Sequence, residues 1–144
     1  MTPQIDFYIV PEVDVYAFLA RVTEKVYRLG RKIYIHAQPE EALKIDELLW
    51  QAEPGSFIPH QLIGESALPP PPVQIGFESP NLTTYDVLIN VAVEVPNCFH
   101  AFQRIIEIVP QDDRIKEYTR NHYRFYHQQG LSIQSHNLIQ ASEV

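Results

Sequence analysis

At 144 residues, 45% hydrophobic and 20% charged, the chain is long enough for one buried core and too apolar for a disordered segment. Its single cysteine, Cys98, excludes an internal disulfide and a cysteine-based zinc framework, which fits a reducing cytosol. The formal charge of -7 repels DNA and anionic membranes at long range unless a local basic patch reverses the field, and no apolar run approaches the roughly 20 residues of a membrane span.

Ile5 to Val10 is dense enough in apolar residues for a strand, with Ile5, Phe7 and Ile9 on one face and Tyr8 and Val10 on the other. Beyond Pro11 the period changes. Val15, Phe18, Leu19, Val22, Val26 and Leu29 recur every three or four residues, and Gly30 follows as a helix terminator. Arg31 and Lys32 then lead into Ile33, Tyr34, Ile35, His36 and Ala37, a short run suited to a buried parallel strand. Strand, helix and strand make a right-handed crossover with the helix on one face of the sheet.

A second helix starts near Pro39, with Glu40 and Glu41 at the positive end of its dipole, and runs through Leu43, Ile45, Leu48, Leu49 and Trp50. From Gln51 to Pro72 the density of proline and glycine, including the run Pro69 to Pro72, predicts a long surface loop. Strands are expected at Val73 to Ile75 and Asp86 to Val93, and a short helical stretch around Phe99 and Phe102. One more strand follows through Ile105, Ile106, Ile108 and Val109. The last helix ends before Gly130, is capped by Asp112 or Asp113, and has a core side of Ile115, Tyr118, His122, Phe125 and Tyr126. The chain after about residue 131 gives no readable pattern. With no linker between two cores, residues 1–144 read as a single domain.

The last helix also carries a surface signal. Lys116, Arg120, Tyr123 and Arg124 fall together on a face away from the core, a cationic stripe with one aromatic in an acidic protein. Arg120 suits a carboxylate in a bidentate pair beside the Tyr123 ring, as an acidic peptide would offer. Ordinary solvated charges, supported by Glu117, explain the same residues.

Catalytic and cofactor spacings do not match. His122 and His127 are five apart, where two imidazoles on one helical face need four. No glycine-rich turn follows either early strand to cradle a phosphate, and Gly64-Glu65-Ser66 lacks the second glycine of a nucleophile elbow. No metal or cofactor site is expected. Two alternatives stay open: a small enzyme with its site at the sheet end near His36, and a direct single-stranded nucleic-acid binder using the stripe. Trp50, Phe57 and His60 read either as a hydrophobic cluster beneath the proline-rich loop or as an exposed docking patch.

The ordered pieces Gly30 to Ile35 (GRKIYI), Asp46 to Trp50 (DELLW), Phe57 to Glu65 (FIPHQLIGE), Asp86 to Asn90 (DVLIN) and Ile108 to Pro110 (IVP) resemble the bacterial DNA polymerase III chi subunit family over nearly the whole chain. The resemblance implies a three-layer α/β/α fold with a mostly parallel, Rossmann-like central sheet lacking a phosphate-binding loop. It implies a non-catalytic accessory protein of the replicative polymerase's clamp-loader assembly, cytoplasmic and located at the nucleoid-associated replisome. It further implies two docking surfaces. One holds the acidic, phenylalanine-ended C-terminal tail of single-stranded DNA-binding protein at Lys116, Arg120, Tyr123 and Val109, with Arg124 beside them. The other docks the psi subunit at Trp50 and Phe57, with Ile58, Pro59 and His60, and a helicase is a further candidate for that surface. The proline run and the residues after Asn137 have no counterpart in the family pattern. Tyr85 stands where some relatives carry a basic residue, so contact with DNA is expected to be indirect.

Overall fold

The computed structural model describes residues 3–50, 59–62, 72–76, 86–111 and 116–138. Buried strands alternate with amphipathic helices: β1 (Gln4–Val10), α1 (Val15–Arg28), β2 (Ile33–His36), α2 (Pro39–Trp50), β3 (His60–Leu62), β4 (Val73–Gly76), β5 (Val87–Asn90), β6 (Arg104–Pro110), α3 (Lys116–Gln128) and β7 (Ser132–Asn137). Short 3-10 turns occupy Glu12–Asp14 and Asn97–Ala101. Among the described residues the seven strands form one sheet, ordered β3-β4-β2-β5-β6-β1-β7, and every neighbouring pair is parallel. Each residue of β2, β4 and β5 is buried, as parallel strands covered on both faces require.

Strand alternation sorts the side chains into two layers. One face carries Ile33, Ile35, Val73, Ile75, Val87, Ile89, Ile106 and Ile108, and it packs against Leu19 and Val26 of α1 and Ala42, Ile45 and Leu49 of α2. The other carries Ile5, Phe7, Tyr34, Leu88 and Ile105, and it packs against Phe102 and Tyr126 of α3. The result is the three-layer α/β/α architecture expected from the sequence. Both α1 and α3 stop in the same way. Gly30 and Gly130 take the left-handed φ of 81° and 75°, and the amide hydrogens of the glycine and its successor turn back to the last helical carbonyls.

Three elements depart from the expectations. The segment 51–72, expected to be irregular, contains β3, which is set by pairing with β4 in the register His60 to Val73 and is too short to show a period. The strand expected to reach Val93 ends at Asn90, because the Asn90 side-chain oxygen accepts the Ala92 amide hydrogen and turns the chain. The unreadable tail forms β7, paired with β1 from Gln4–Ser132 to Ile9–Asn137. Its exposed polar residues hide the strand period, since one face of this edge strand is wet.

Candidate functional site

The last helix is fastened by a buried carboxylate. Glu107 sits in the middle of β6, 3% exposed, facing α3. Tyr126 donates its hydroxyl to Glu107 Oε2 at 2.6 Å, Asn90 donates Nδ2 to the same oxygen at 2.9 Å, and His122 Nδ1 meets Oε1 at 3.0 Å. The other ring nitrogen of His122 meets the Val93 carbonyl. Both neighbours of the imidazole are acceptors, so both nitrogens must carry hydrogen and the ring is cationic. Burial opposes that charge. The hydrogen bond and charge of Glu107, the Val93 carbonyl and the charge of Glu94 outweigh it, and the His122 pKa lies above the ordinary histidine value. Burial first, and then the adjacent carboxylate, push the Tyr126 phenol up, so it stays a donor.

With His122 and Tyr126 turned inward, α3 presents Arg120, Tyr123, Arg124 and His127 outward. Tyr123 is 43% exposed. Its ring lies 5.8 Å from Phe7 of β1 on one side and stacks near His127 at 6.4 Å on the other. Val109, half-buried, stands one same-face step beyond Glu107 on β6 and diagonal to Phe7. Lys116 is the first residue of α3, one turn before Arg120. Arg120 and Arg124 have no ion-pair partner among the described residues, and the support expected from Glu117 does not form. Arg120 and Arg124 therefore keep their charge available beside an aromatic floor. His127 belongs to this face and was not read from the sequence as part of it, although its position, four residues after Tyr123, carried the signal.

The second expected surface lies across the sheet. Trp50 ends α2 with 60% of its surface exposed, and its ring meets the His60 ring edge-on at 5.0 Å. His60 itself is buried. Its Nε2 lies 3.1 Å from the Asp46 carbonyl and 3.3 Å from the Asp46 carboxylate, so it ties β3 to α2 and props the tryptophan from below. Pro59 is half-buried. Phe57 and Ile58 lie outside the described residues, as do Asp112, Asp113, Ile115, Tyr85 and the first three prolines of the run, Pro69 to Pro71. Between β3, beside Trp50, and β1, beside Tyr123, there are five strand spacings, roughly 24 Å at about 4.8 Å each. The two surfaces are far enough apart for separate partners.

His36, the anchor of the enzyme alternative, is buried. Its Nδ1 meets the Tyr34 hydroxyl at 3.1 Å, and burial lowers its pKa, so it is neutral. The polar groups beside it are bonded to one another: Asn90, Glu107, His122 and Tyr126 spend their hydrogen bonds on holding α3. Among the described residues no group of three or more His, Cys, Asp or Glu is placed to hold a metal ion, and no helix is long and apolar enough to cross a membrane.

The molecule is thus a parallel α/β sheet whose buried polar groups brace its helices, with exposed aromatics on two separate surfaces and, among the described residues, unpaired guanidinium groups on the α3 surface. Comparison with known proteins places it. Residues 1–134 match the family model described as DNA polymerase III chi subunit, HolC, and the chain belongs to that family. It is 36% identical over 143 residues to the DNA polymerase III subunit chi of Haemophilus influenzae, covering 96% of this chain and 99% of that one. To the subunit chi of Pseudomonas aeruginosa it is 35% identical over 139 residues, covering 94% and 96%. To that of Escherichia coli it is 27% identical over 117 residues, covering 80% of each. The family is one of accessory, non-catalytic subunits of DNA polymerase III, and replication is the process it serves.

Proposed function

We propose that this chain is a replication adaptor in the cytoplasm. It holds the acidic C-terminal tail of single-stranded DNA-binding protein on α3 and the psi subunit on the Trp50 surface, and so joins coated DNA to the clamp loader. The observation that carries the first half is the pair of exposed guanidinium groups of Arg120 and Arg124, without an ion-pair partner among the described residues, beside the half-exposed Tyr123 ring. Guanidinium groups orient carboxylates through paired hydrogen bonds, and the apolar ground around Tyr123, Phe7 and Val109 takes a terminal phenyl ring. Preorganisation supports the same reading. The Glu107 network fixes the rotation of α3, so little ordering remains to be done on binding. For the second half, Trp50 has the size and exposure of an interface anchor, and His60 beneath it holds the ring in place.

Calorimetric titration of an acidic, phenylalanine-terminated peptide into the wild-type chain and into Arg120→Ala, at two salt concentrations, tests the α3 site. The expected result is saturable binding that weakens with salt and loses more than about 1 kcal/mol in the variant. No binding to the wild type, checked by an optical assay, removes α3 as a tail site.

A further inference from the structure

A second basic surface lies on the opposite side of the sheet from α3. At 100° per residue, Arg21, Lys25 and Arg28 of α1 fall within roughly 60° of one another, a row one helical turn apart. Next to that row come Phe18 and Val22 of the same helix and Leu29, which follows its last residue and is 66% exposed. These side chains form one wall of a groove of about 230 Å³, with Tyr8, Ile106 and Arg104 on the other wall and Arg21 and Lys25 on its rim. The groove does not end with the helix. A second hollow of about 230 Å³ shares Val26, Leu29 and Arg104 with the first and continues past the end of α1 to Arg31 and Gln103.

The charge along this path is positive. Arg21, Lys25 and Arg31 have no ion-pair partner among the described residues. Two of the nearby acids are balanced, Glu24 by Arg28 and Asp6 by Arg104. Asp86, which lines the second hollow, accepts the Lys32 amide hydrogen and keeps its charge, so the excess of cations is greatest along Arg21 and Lys25. Arg104 spends one donor on Asp6 and another on the Tyr8 hydroxyl, and its partly exposed guanidinium has further donors for a ligand.

We propose that this groove binds single-stranded nucleic acid, with phosphates along Arg21, Lys25 and Arg31 and bases against Phe18, Val22 and Leu29. A row of separated cations beside a continuous apolar channel fits a flexible polyanion that alternates charge with apolar rings. An acidic peptide end is recognised differently, by donors converging on one carboxylate. An anionic bilayer needs a wide outward apolar helix face; Leu19 and Val26 of α1 are spent in the core, and Phe18 and Val22 are only half-open, toward the groove. The total charge of -7 points to indirect contact with DNA, but it averages over a surface on which the cations of α1 are segregated. The site is separate from α3 and does not depend on the proposed tail binding.

Fluorescence anisotropy of a labelled oligo-dT of about 16 nucleotides, titrated with the full chain across a salt series, tests it. Expected is low-salt binding whose log K falls against log salt with a slope of about -2, as roughly three neutralised phosphates give. Arg21→Glu with Lys25→Glu lowers the affinity at least about tenfold and flattens the slope. Arg21→Gln with Lys25→Gln does so less, and both double variants keep the wild-type melting temperature and acidic-peptide binding at α3. The proposal is overturned by absence of oligo-dT binding at low salt, or by binding that survives the charge reversal. It is equally overturned by displacement with poly-glutamate as effective as with unlabelled oligo-dT, which makes the groove an acidic-peptide site. Failure of the phenylalanine-terminated peptide to bind the wild type touches only the α3 reading.

Discussion

On one face of the sheet α2 buries Ala42, Ile45 and Leu49 in an aliphatic layer, while on the other α3 rests on aromatic rings gathered round the Glu107 carboxylate. Aliphatic contacts are non-directional, and they tolerate a small rotation of the helix at little cost. The bonds from Tyr126 and His122 to Glu107 do not, because each loses strength with angle. A surface patch on α3 is thereby held at a fixed angle to β1 and β6, where Phe7 and Val109 lie. On the α2 side a comparable directional tie reaches β3 from His60 to Asp46, and it sits directly beneath Trp50. Both candidate docking surfaces are therefore placed where a buried histidine fixes what the hydrophobic layer alone would leave loose.

Breaking the polar fastening gives the largest expected effect. Glu107→Ala leaves a buried imidazolium and a buried phenol without their acceptor and is expected to cost about 3–5 kcal/mol, read as a lower urea midpoint. Replacing Glu107, His122 and Tyr126 together by Leu, Leu and Phe sharpens the comparison. This variant is expected to recover most of that stability and yet bind the acidic peptide more weakly, because α3 is no longer locked in angle. Recovery of both stability and affinity counts against the positioning role of the network. On the aliphatic side, Ile45→Ala opens a cavity and is expected to cost about 3 kcal/mol without changing peptide affinity.

The aliphatic layer was legible in the sequence and the polar one was not, for a physical reason. Ile33 to Ala37, Ile45, Leu49 and the two terminating glycines announce themselves through periodicity and backbone conformation, which are local. Glu107 interrupts the run of Ile105, Ile106, Ile108 and Val109, and an acid inside a buried strand must have partners. That much is visible, but which residues complete it depends on α3 crossing β6, and no spacing along the chain states this. His122 read as a core position without a role, and β7 was invisible because its pairing with β1 spans more than 120 residues of chain. The outward stripe on α3 was legible because helix geometry is local. The same geometry applies to Arg21, Lys25 and Arg28, where the apolar period of α1 drew attention to its buried side instead.

The smallest expected effect is also the one that separates the two faces by pH. His122 holds its second proton more tightly in the folded chain than in the unfolded one, facing Glu107, Glu94 and the Val93 carbonyl. A base whose folded pKa is raised contributes stability that is complete below the unfolded value of about 6.5 and is lost as pH rises through the folded value. The wild-type melting temperature is therefore expected to fall on going from about pH 6.5 towards 9, and His122→Gln to flatten that fall. His36 acts in the opposite sense, since burial lowers its pKa and acid below about 6.5 protonates the unfolded chain first, so its contribution stays out of the alkaline window. Ile45→Ala shifts the whole melting curve down without changing its slope between those values. A wild-type melting temperature that is flat across the window requires a neutral His122, with one ring nitrogen set against an acceptor it cannot bond. That outcome would undo the account of α3 as a helix locked by a charged pair.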